Sequence, residues 1–110
     1  MMSNFAKKQC EAKTSLLTDD EINSHLKEIS SEWQLAEDSK SISRSFKFKN
    51  YYETMSFVNV VAMVAHQQDH HPEIIINYNT CRVEFSTHSV GGLSLNDFIC
   101  AARVDGTLNI

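Results

Sequence analysis

The sequence has 110 residues, a length that suits one domain with its own hydrophobic core. Its formal charge of −4 argues against direct nucleic-acid binding, which needs a basic surface. No segment approaches the ~20 consecutive apolar residues of a membrane-spanning helix. We therefore expect a protein that binds neither nucleic acid nor a membrane directly.

The cysteines and the N-terminal stretch indicate a cytoplasmic protein. Cys10, Cys81 and Cys100 include no C-x-x-C pair, and we interpret them as free thiols in a reducing cytosol. No arrangement of cations around them suggests a catalytic thiol. The stretch MMSNFAKKQCEAKTSLL lacks the apolar core of a signal peptide.

The predicted domain begins with a helix. Residues 1–17 are polar and aperiodic, and we expect a loose N-terminal arm there, ahead of a domain over residues 18–110. Thr18 and Glu21 match a capping box, in which each side chain bonds the backbone N–H of the other residue. Apolar residues follow at helical spacing from Ile22 to Ile29, so this helix has one apolar face.

The stretch EWQLAEDSKSISRSFKFK predicts a β-hairpin. Trp33 and Leu35 alternate with polar residues before a turn at EDSK, and Ile42 and Phe46 continue the alternation after it. One apolar and one polar face are typical of an antiparallel sheet with one side in water. Arg44 falls on the apolar side, and the pattern does not explain it.

The stretch NYYETMSFVNVVAMVAHQQD predicts a long helix that begins at an Asn50 N-cap and ends before Pro72. Its apolar residues cover more than one ordinary helical face. One stripe and a wider set can be distinguished: Met55, Val58, Ala62 and Ala65, and then Phe57, Val60, Val61 and Val64. Either the helix is deeply buried, or its second side meets another subunit.

The last elements complete an α+β pattern. The stretch EIIINYNTCRVEFSTH predicts two strands around a turn near residues 78–80, and SLNDFICAARVD predicts a final helix with Ser94 as N-cap and Asp97 at its third position. The element order is α-β-β-α-β-β-α. This order predicts a single domain in which a four-stranded antiparallel sheet carries helices on one face.

Three histidines are the candidate chemical groups. His70 and His71 follow the long helix, and His88 stands at a strand end before a Gly-Gly break. Imidazole both gives and takes protons near neutral pH, so convergent histidines suit a reaction that needs one proton given and another taken. A structural alternative stays open, since a histidine at a helix C-terminus is favoured by the helix dipole alone. Asp97 equally suits its capping role.

A metal site is the rival chemistry. His66 and His70 are four residues apart, which places both on one helical face as in H-E-x-x-H zinc sites. Asp69 or His88 could complete a ligand set. The segment HQQDH lacks the glutamate of that motif and the rest of any zinc signature, so we favour a site without metal.

Three separated blocks of this sequence resemble one known family. Residues 66–97 read H-x3-H-H-P-x5-Y-x9-H-x8-D, and THSVGGLSLNDFICAARVD is similar to the run T-H-x3-G-L-[ST]-x2-D-x3-A-x2-[IV]-D. Upstream, FKFKNYYETMSFVNVVA resembles an F-x-F-x-[ND]-[FY] entry into the central helix. The family with these blocks is that of the pterin-4a-carbinolamine dehydratases, and the resemblance spans roughly residues 18–106.

The resemblance implies an enzyme of α+β fold that works as a homodimer or homotetramer, without a metal or organic cofactor. Its reaction is dehydration of 4a-hydroxytetrahydrobiopterin, or a related 4a-hydroxytetrahydropterin, to quinonoid dihydropterin. This step recycles the cofactor of aromatic amino-acid hydroxylases, which implies a functional link to such a hydroxylase.

The resemblance also assigns residues. His70, His71 and His88 match the family's three active-site histidines, with His71 expected at the 4a-hydroxyl and the other two as acid and base. Asp97 and His66 are expected in supporting positions. Residues expected to contact the substrate are Tyr78, Pro72, Ser86 and Thr87. Two departures bear on specificity and rate: His66 replaces a common glutamate, and Ile74 replaces a common tryptophan.

Other functions stay open beside the enzyme. The same fold could serve as a non-catalytic, protein-partner or regulatory module, or it could act in molybdopterin metabolism. An intact set of three histidines favours the enzyme, since a pure scaffold does not need them.

Overall fold

The computed structural model describes residues 4–109. Three α-helices, four strands and three short 3₁₀ helices follow one another in these residues: Asn4–Lys7 (3₁₀), α1 (Asp19–Leu26), β1 (Gln34–Leu35), β2 (Ile42–Lys47), α2 (Tyr51–Gln68), β3 (Glu73–Ile76), β4 (Thr80–Phe85), His88–Val90 (3₁₀), α3 (Leu95–Gly106) and Thr107–Asn109 (3₁₀). Within this range, no helix is both long and apolar enough to cross a bilayer.

The four strands form one antiparallel sheet in the order β1-β2-β4-β3. The two hairpins are therefore joined through β2 and β4, which pair over six residues from Ile42 opposite Phe85 to Lys47 opposite Thr80. Among residues 4–109, strand β3 pairs only with β4, so its other edge is open there. The predicted α+β fold and its element order are confirmed.

The core lies between one face of the sheet and the helices. Cys81, Val83 and Phe85 on β4 are buried, and the residues between them are only partly covered. Because side chains alternate along a strand, this burial pattern confirms the predicted faces. The largest fully buried side chains include Phe85 and Phe98, the latter from α3.

Arg44 lies on the helix-facing side of the sheet because α3 supplies its partner. Its guanidinium donates to Asp105 Oδ1 at 2.8 Å and lies over the ring of Phe46. The indole N–H of Trp33 donates to the other oxygen of Asp105, also at 2.8 Å. Burial raises the pKa of Asp105, although Trp33 and Arg44 act against that rise. The exception in the alternating pattern is thus an ion pair between sheet and helix.

The predicted helix starts are confirmed. Thr18 and Glu21 form both bonds of a capping box on α1. The Asn50 side chain accepts the Glu53 N–H at the start of α2. At the start of α3, the Asp97 carboxylate accepts the Ser94 N–H at 2.9 Å, which ties Asp97 to the first turn of its own helix.

Helix α2 uses only part of its apolar surface in the core. Thr54, Phe57, Val61 and Val64 are buried. Met63, on the opposite side, keeps 56% of its surface exposed. The alternative of a deeply buried helix is therefore wrong for the single chain, and an apolar side of α2 lies open.

The N-terminal segment differs from the loose arm expected from its composition. Phe5 and Ala6 in the first 3₁₀ helix are buried against α3. Phe5 meets the rings of His25 and Phe98. The Leu17 N–H donates to the Leu93 carbonyl at 2.9 Å. Isolated apolar residues without periodicity thus anchor this segment, which is why composition did not indicate it.

Candidate active site

The end of α2 sets the position of the two adjacent histidines. Asp69 caps the helix in the left-handed conformation, with φ 51° and ψ 44°. The His70 N–H returns to the Ala65 carbonyl at 3.1 Å. Pro72 then leads the chain into β3. Since a left-handed residue ends a helix by a sharp change of direction, His70 leaves the helix axis and turns toward α3.

His70 forms a close pair with Asp97. Its Nε2 lies 2.6 Å from Asp97 Oδ1, and their side chains are only 12% and 0% exposed. The imidazole also lies parallel to the ring of Phe85, with centroids 6.1 Å apart. Because a carboxylate only accepts, Nε2 carries a proton and Nδ1 is the ring nitrogen left for other exchange.

Asp97 is itself held from three sides. Its Oδ2 accepts the Thr87 hydroxyl at 2.8 Å and the Ser94 N–H at 2.9 Å, while Oδ1 faces His70. The Ser94 hydroxyl lies 2.6 Å from the Thr87 hydroxyl. A buried, fully bonded carboxylate cannot rotate freely, so it fixes the orientation of the His70 ring.

The surroundings of His70 also set its proton affinity. Burial of the ring acts to lower its pKa, but the hydrogen bond and the charge of Asp97 outweigh burial. Cys10 and Asp69 add smaller contributions in the same direction. The pKa of His70 is therefore raised above the ordinary value for histidine.

The three candidate histidines line one cavity of about 420 Å³ between the end of α2 and the end of β4. Its walls consist of Asp69, His70, His71, Pro72, Glu73, Glu84, Ser86, Thr87, His88 and Ser89. A volume of this order suits a small ligand of one or two rings. The antiparallel register brings the two chain segments together, since Glu73 on β3 lies opposite Glu84 on β4.

His71 and His88 differ from His70 in their surroundings. Both are exposed, and neither ring has a hydrogen-bond partner among residues 4–109. His88 begins the short 3₁₀ helix rather than ending β4, which stops at Phe85. The rings of His71 and His88 are thus open to a ligand, whereas the ring of His70 is held in place by Asp97.

The remaining predicted residues occupy different places. Pro72 and Ser86 line the cavity. Thr87 also lines it, but the residue is buried and its hydroxyl serves Asp97 and Ser94. Tyr78 lies at the other end of β3, with 64% of its surface exposed, and does not reach this cavity.

A second cavity of about 360 Å³ adjoins the first and contains His66. It runs between α2 and β3 and is lined by Ala62, Ala65, His66, Asp69, His70, His71, Pro72 and Ile74. The two cavities share the turn from Asp69 to Pro72. His66 therefore lies beside the histidine cavity, and Ile74 takes part in the same apolar wall.

The glycine pair after His88 shapes the turn. Gly91 has φ 71° and ends the 3₁₀ helix. Gly92 forms a bridge with Thr87, and a Cβ atom on Gly92 would lie 2.9 Å from Leu16 Cδ1. Gly92 thus lies close to the N-terminal segment, and neither glycine lines the cavity.

Two carboxylates of the cavity wall, Glu73 and Glu84, were not singled out in the sequence. Asp69, considered there only as a possible metal ligand, lines the same cavity, and Glu84 also accepts from Arg82 at 2.9 Å. The signal for Glu73 and Glu84 lies in the pairing of β3 with β4, which requires the strand register. In the part of the chain that the structure describes, no three His, Cys, Asp or Glu side chains are grouped to hold a metal ion.

A sequence model of the family named pterin 4 alpha carbinolamine dehydratase matches residues 15–107. The chain belongs to this family. The resemblance drawn from the three motif blocks is therefore confirmed, and the match covers most of the chain. It includes α1 to α3, all four strands and both sides of the histidine cavity.

Relatives named after the same activity support this assignment. A protein from Nitrosomonas eutropha is 56% identical over 98 residues, which cover 89% of this chain and 85% of that protein. One from Legionella pneumophila is 43% identical over 111 residues, which cover 98% of each chain. Both are provisionally named pterin-4-alpha-carbinolamine dehydratases. The family membership indicates a dehydratase.

Two solved structures share the fold. A transcriptional coactivator/pterin dehydratase from Brucella melitensis is 34% identical with a TM-score of 0.77, over 82% of this chain and 95% of that one. A pterin dehydratase-like RuBisCO assembly factor of the alpha-carboxysome is 21% identical with a TM-score of 0.58, over 68% and 87%. The second likeness concerns the fold alone.

Proposed function

We propose that this protein dehydrates 4a-hydroxytetrahydrobiopterin, or a related 4a-hydroxytetrahydropterin, to the quinonoid dihydropterin and water by histidine acid/base catalysis. The observation that carries the proposal is the convergence of His70, His71 and His88 on one cavity. The buried Asp97 behind His70 supports it further, because an oriented imidazole is what a proton transfer needs.

The reaction requires two proton transfers. The leaving hydroxyl stands on a carbon beside a ring nitrogen, whose electrons expel it once an acid protonates the oxygen, while a base removes the ring N–H proton. In our proposal His71 contacts the 4a-hydroxyl, and His70 and His88 act as acid and base on the two faces of the ring. Each such transfer typically contributes ~10²- to 10⁴-fold to the rate.

The carboxylates of the cavity suit the rest of a reduced pterin. Such a ring presents several N–H donors, and carboxylate oxygens accept hydrogen bonds from them. Glu73 and Glu84 face each other across β3 and β4 at the cavity wall, and Asp69 lies at the turn. We propose that these groups orient the ring, with no metal or organic cofactor in the reaction.

The physiological setting is proposed with the reaction. The product is the form that reductive recycling of tetrahydrobiopterin consumes, so a functional link to an aromatic amino-acid hydroxylase follows. We place the reaction in the cytoplasm, where the free thiols of the chain stay reduced. Apolar residues exposed on α2 and β3 support a homodimer or homotetramer.

The test uses stopped-flow absorbance of freshly generated 4a-hydroxytetrahydropterin, with and without the protein. Acceleration over the spontaneous dehydration by the parent, and not by His70→Ala/His71→Ala, is the expected result. Gln67→Ala serves as the matched control, since Gln67 is exposed near the same helix end and lines neither cavity. A folded parent protein that leaves the spontaneous rate unchanged would overturn the proposal.

A partner-binding role is the second candidate. The Brucella melitensis structure is named both a transcriptional coactivator and a pterin dehydratase, and this chain exposes apolar surface on α2. We propose that such a role, where present, uses this surface rather than the histidine cavity. Full biological function in cells that carry only His70→Ala/His71→Ala would favour it over the enzyme.

A further inference from the structure

Two thiols meet beneath the histidine cavity. The Sγ atoms of Cys10 and Cys100 lie 3.5 Å apart, although the residues are 90 positions apart in the chain. Cys100 on α3 is fully buried, whereas Cys10 is partly exposed. The pair therefore joins a partly exposed cysteine to a fully buried one.

The N-terminal segment holds Cys10 at this position. Its N–H donates to Gln68 Oε1 at the end of α2, at 2.8 Å. Next to it, the Glu11 N–H and carbonyl bond the side-chain amide of Asn96, at 3.1 and 2.9 Å. The contact between the thiols is thus supported by hydrogen bonds to both helices, and it does not depend on the sulfur atoms alone.

The two thiols differ in reactivity. A hydrogen bond from Cys100 lowers the pKa of Cys10, and the nearby His70 and Arg103 assist against the effect of burial. The same hydrogen bond, together with burial, raises the pKa of Cys100. Since the thiolate is the reactive form, Cys10 is the attacking sulfur and Cys100 the second one.

We propose that Cys10 and Cys100 form a redox-active dithiol, which a hydroperoxide converts into an intramolecular disulfide. The Cys10 thiolate attacks the O–O bond; an S–O bond forms, the O–O bond breaks, and the departing oxygen leaves as water or an alcohol after taking a proton. The Cys100 sulfur then attacks the sulfenic acid. An S–S bond forms, the S–O bond breaks, and water leaves with the Cys100 proton.

The geometry permits the second step with a small movement. A disulfide needs sulfurs ~2.05 Å apart, so the two atoms must approach by about 1.5 Å. Cys10 lies outside any helix or strand, which lets the N-terminal segment supply that movement. Cys81 is the internal comparison, because it is also buried but has neither a thiol neighbour nor a lowered pKa.

The proposed disulfide would form close to the histidine cavity. Cys100 stands three residues after Asp97 on α3, and its Sγ lies 4.0 Å from the His70 carbonyl oxygen. Oxidation would tie the N-terminal segment covalently to the helix that orients His70. The proposal concerns thiol chemistry alone, so it stands or falls independently of the pterin reaction.

The test follows the three cysteines through oxidation of the full-length protein by hydrogen peroxide. Before alkylation, we expect an intact mass lower by about 2 Da. After alkylation of the remaining thiols in denaturant, trypsin places Cys10, Cys81 and Cys100 in separate peptides of residues 9–13, 50–82 and 83–103. We expect a covalent link between peptides 9–13 and 83–103, with Cys81 alkylated.

Variants check the order of the steps. Cys100→Ala should stop at a sulfenic acid on Cys10 that dimedone traps, Cys10→Ser should leave Cys100 alkylatable, and Cys81→Ser should behave like the parent. The oxidised parent should also melt more than ~5 °C above the reduced parent, since the link closes a long loop. Three results would overturn the proposal. They are alkylation of both Cys10 and Cys100 after peroxide, a disulfide between two molecules, and a sulfinic acid on Cys10 beside a free Cys100.

Discussion

At the scale of single residues, the site depends on a carboxylate that does not touch the cavity itself. Asp97 is fully buried and bonds His70, Thr87 and the Ser94 backbone at once. Nε2 of His70 is therefore hydrogen-bonded to Asp97, and Nδ1 is the ring nitrogen left for proton transfer. His71 and His88 carry no such support among the described residues, which divides the three imidazoles into one fixed and two adaptable groups.

Asp97→Asn tests this positioning role. The amide can still accept the Ser94 N–H, but its NH₂ then faces His70 Nε2 and favours the tautomer with the proton on Nδ1. We expect kcat to fall by at least ~10-fold with little change in KM. The pH profile of kcat should also shift to lower pH, because the charge that raises the pKa of His70 is gone.

Asp105→Asn is the matched control on the same helix. Asp105 bonds Trp33 and Arg44 at the far end of α3, so its loss should lower the melting temperature and leave kcat and the pH profile unchanged. Parent-like kcat in folded Asp97→Asn would contradict a role for Asp97 in orienting His70.

The His70–Asp97 pair also predicts how stability depends on pH. The pKa of His70 is raised in the folded protein. Its stabilising effect is therefore fully present below the unfolded value of about 6.5 and is lost as pH rises through the folded pKa. Asp97, Asp69 and Cys10 are the charged or titratable groups that face the ring, and all three act in this direction.

The measurement is the difference in melting temperature between parent and His70→Gln. We expect a larger difference at about pH 5.5 than at about pH 9. Both proteins should carry Cys10→Ser, which removes the titration of that thiol. A difference that does not change with pH, or that grows toward high pH, would show that His70 gains no proton affinity on folding.

At the scale of elements, the end of α2 is the part that decides where the histidines go. Asp69 adopts a left-handed conformation, which costs most residues other than glycine about 1–2 kcal/mol. This turn carries the chain from the helix to Pro72 and β3 within a few residues. The same turn forms a wall of both cavities, so the backbone conformation at Asp69 determines the shape of the candidate site.

Two substitutions at Asp69 separate backbone from side chain. Asp69→Gly and Asp69→Ala both remove the carboxylate, but only glycine adopts the left-handed conformation without strain. We expect Asp69→Gly to be more stable than Asp69→Ala by about 1 kcal/mol, although alanine is the better helix former. Urea unfolding of the two variants measures this difference. Greater stability of Asp69→Ala would mean that the left-handed turn is not retained.

Local patterns were enough to predict the elements. Capping residues such as Thr18 and Asn50 act within a few positions, and the alternation from Cys81 to Phe85 reports one exposed and one buried side directly. The pairings between distant residues were not accessible in this way. Arg44 with Asp105 and Cys10 with Cys100 depend on how elements pack, and no local period encodes that.

The candidate site was predictable in part for the same reason. His70, His71 and His88 were found through their residue type and motif spacing, and the structure brings them together. Glu73 and Glu84 could not be found, because their meeting requires the register of β3 against β4. Tyr78 was expected at the substrate through the motif, but the length of β3 separates it from the cavity.

At the scale of the whole molecule, apolar side chains remain exposed on α2 and on the edge strand β3. Val60 and Met63 on α2 are 37% and 56% exposed, and Ile75 and Ile76 on the open edge strand β3 are 45% and 41% exposed. An unpaired strand edge and an apolar helix side are both common contact surfaces between subunits. Two separate surfaces would suit a dimer that pairs again into a tetramer.

Charge placed on one of these surfaces tests the proposed oligomer. By light scattering after size-exclusion chromatography, we expect the parent to have the molar mass of a dimer or tetramer. Met63→Glu should lower this measured molar mass, since a charge buried in the interface opposes association. Glu53→Gln is a control on the exposed first turn of α2. A parent protein that is monomeric up to ~100 µM, well above ordinary Kd values for stable oligomers, would contradict the proposal.

One measurement tests the role of the histidine cavity most directly. It compares the single-turnover rate constant for dehydration of a 4a-hydroxytetrahydropterin, at saturating enzyme, between the parent and His88→Ala. His88 is exposed and makes no side-chain hydrogen bond within residues 4–109, so its loss should leave folding intact. A histidine acid/base mechanism predicts a fall of ~10²-fold or more at an unchanged melting temperature. An equal rate in both proteins would contradict it.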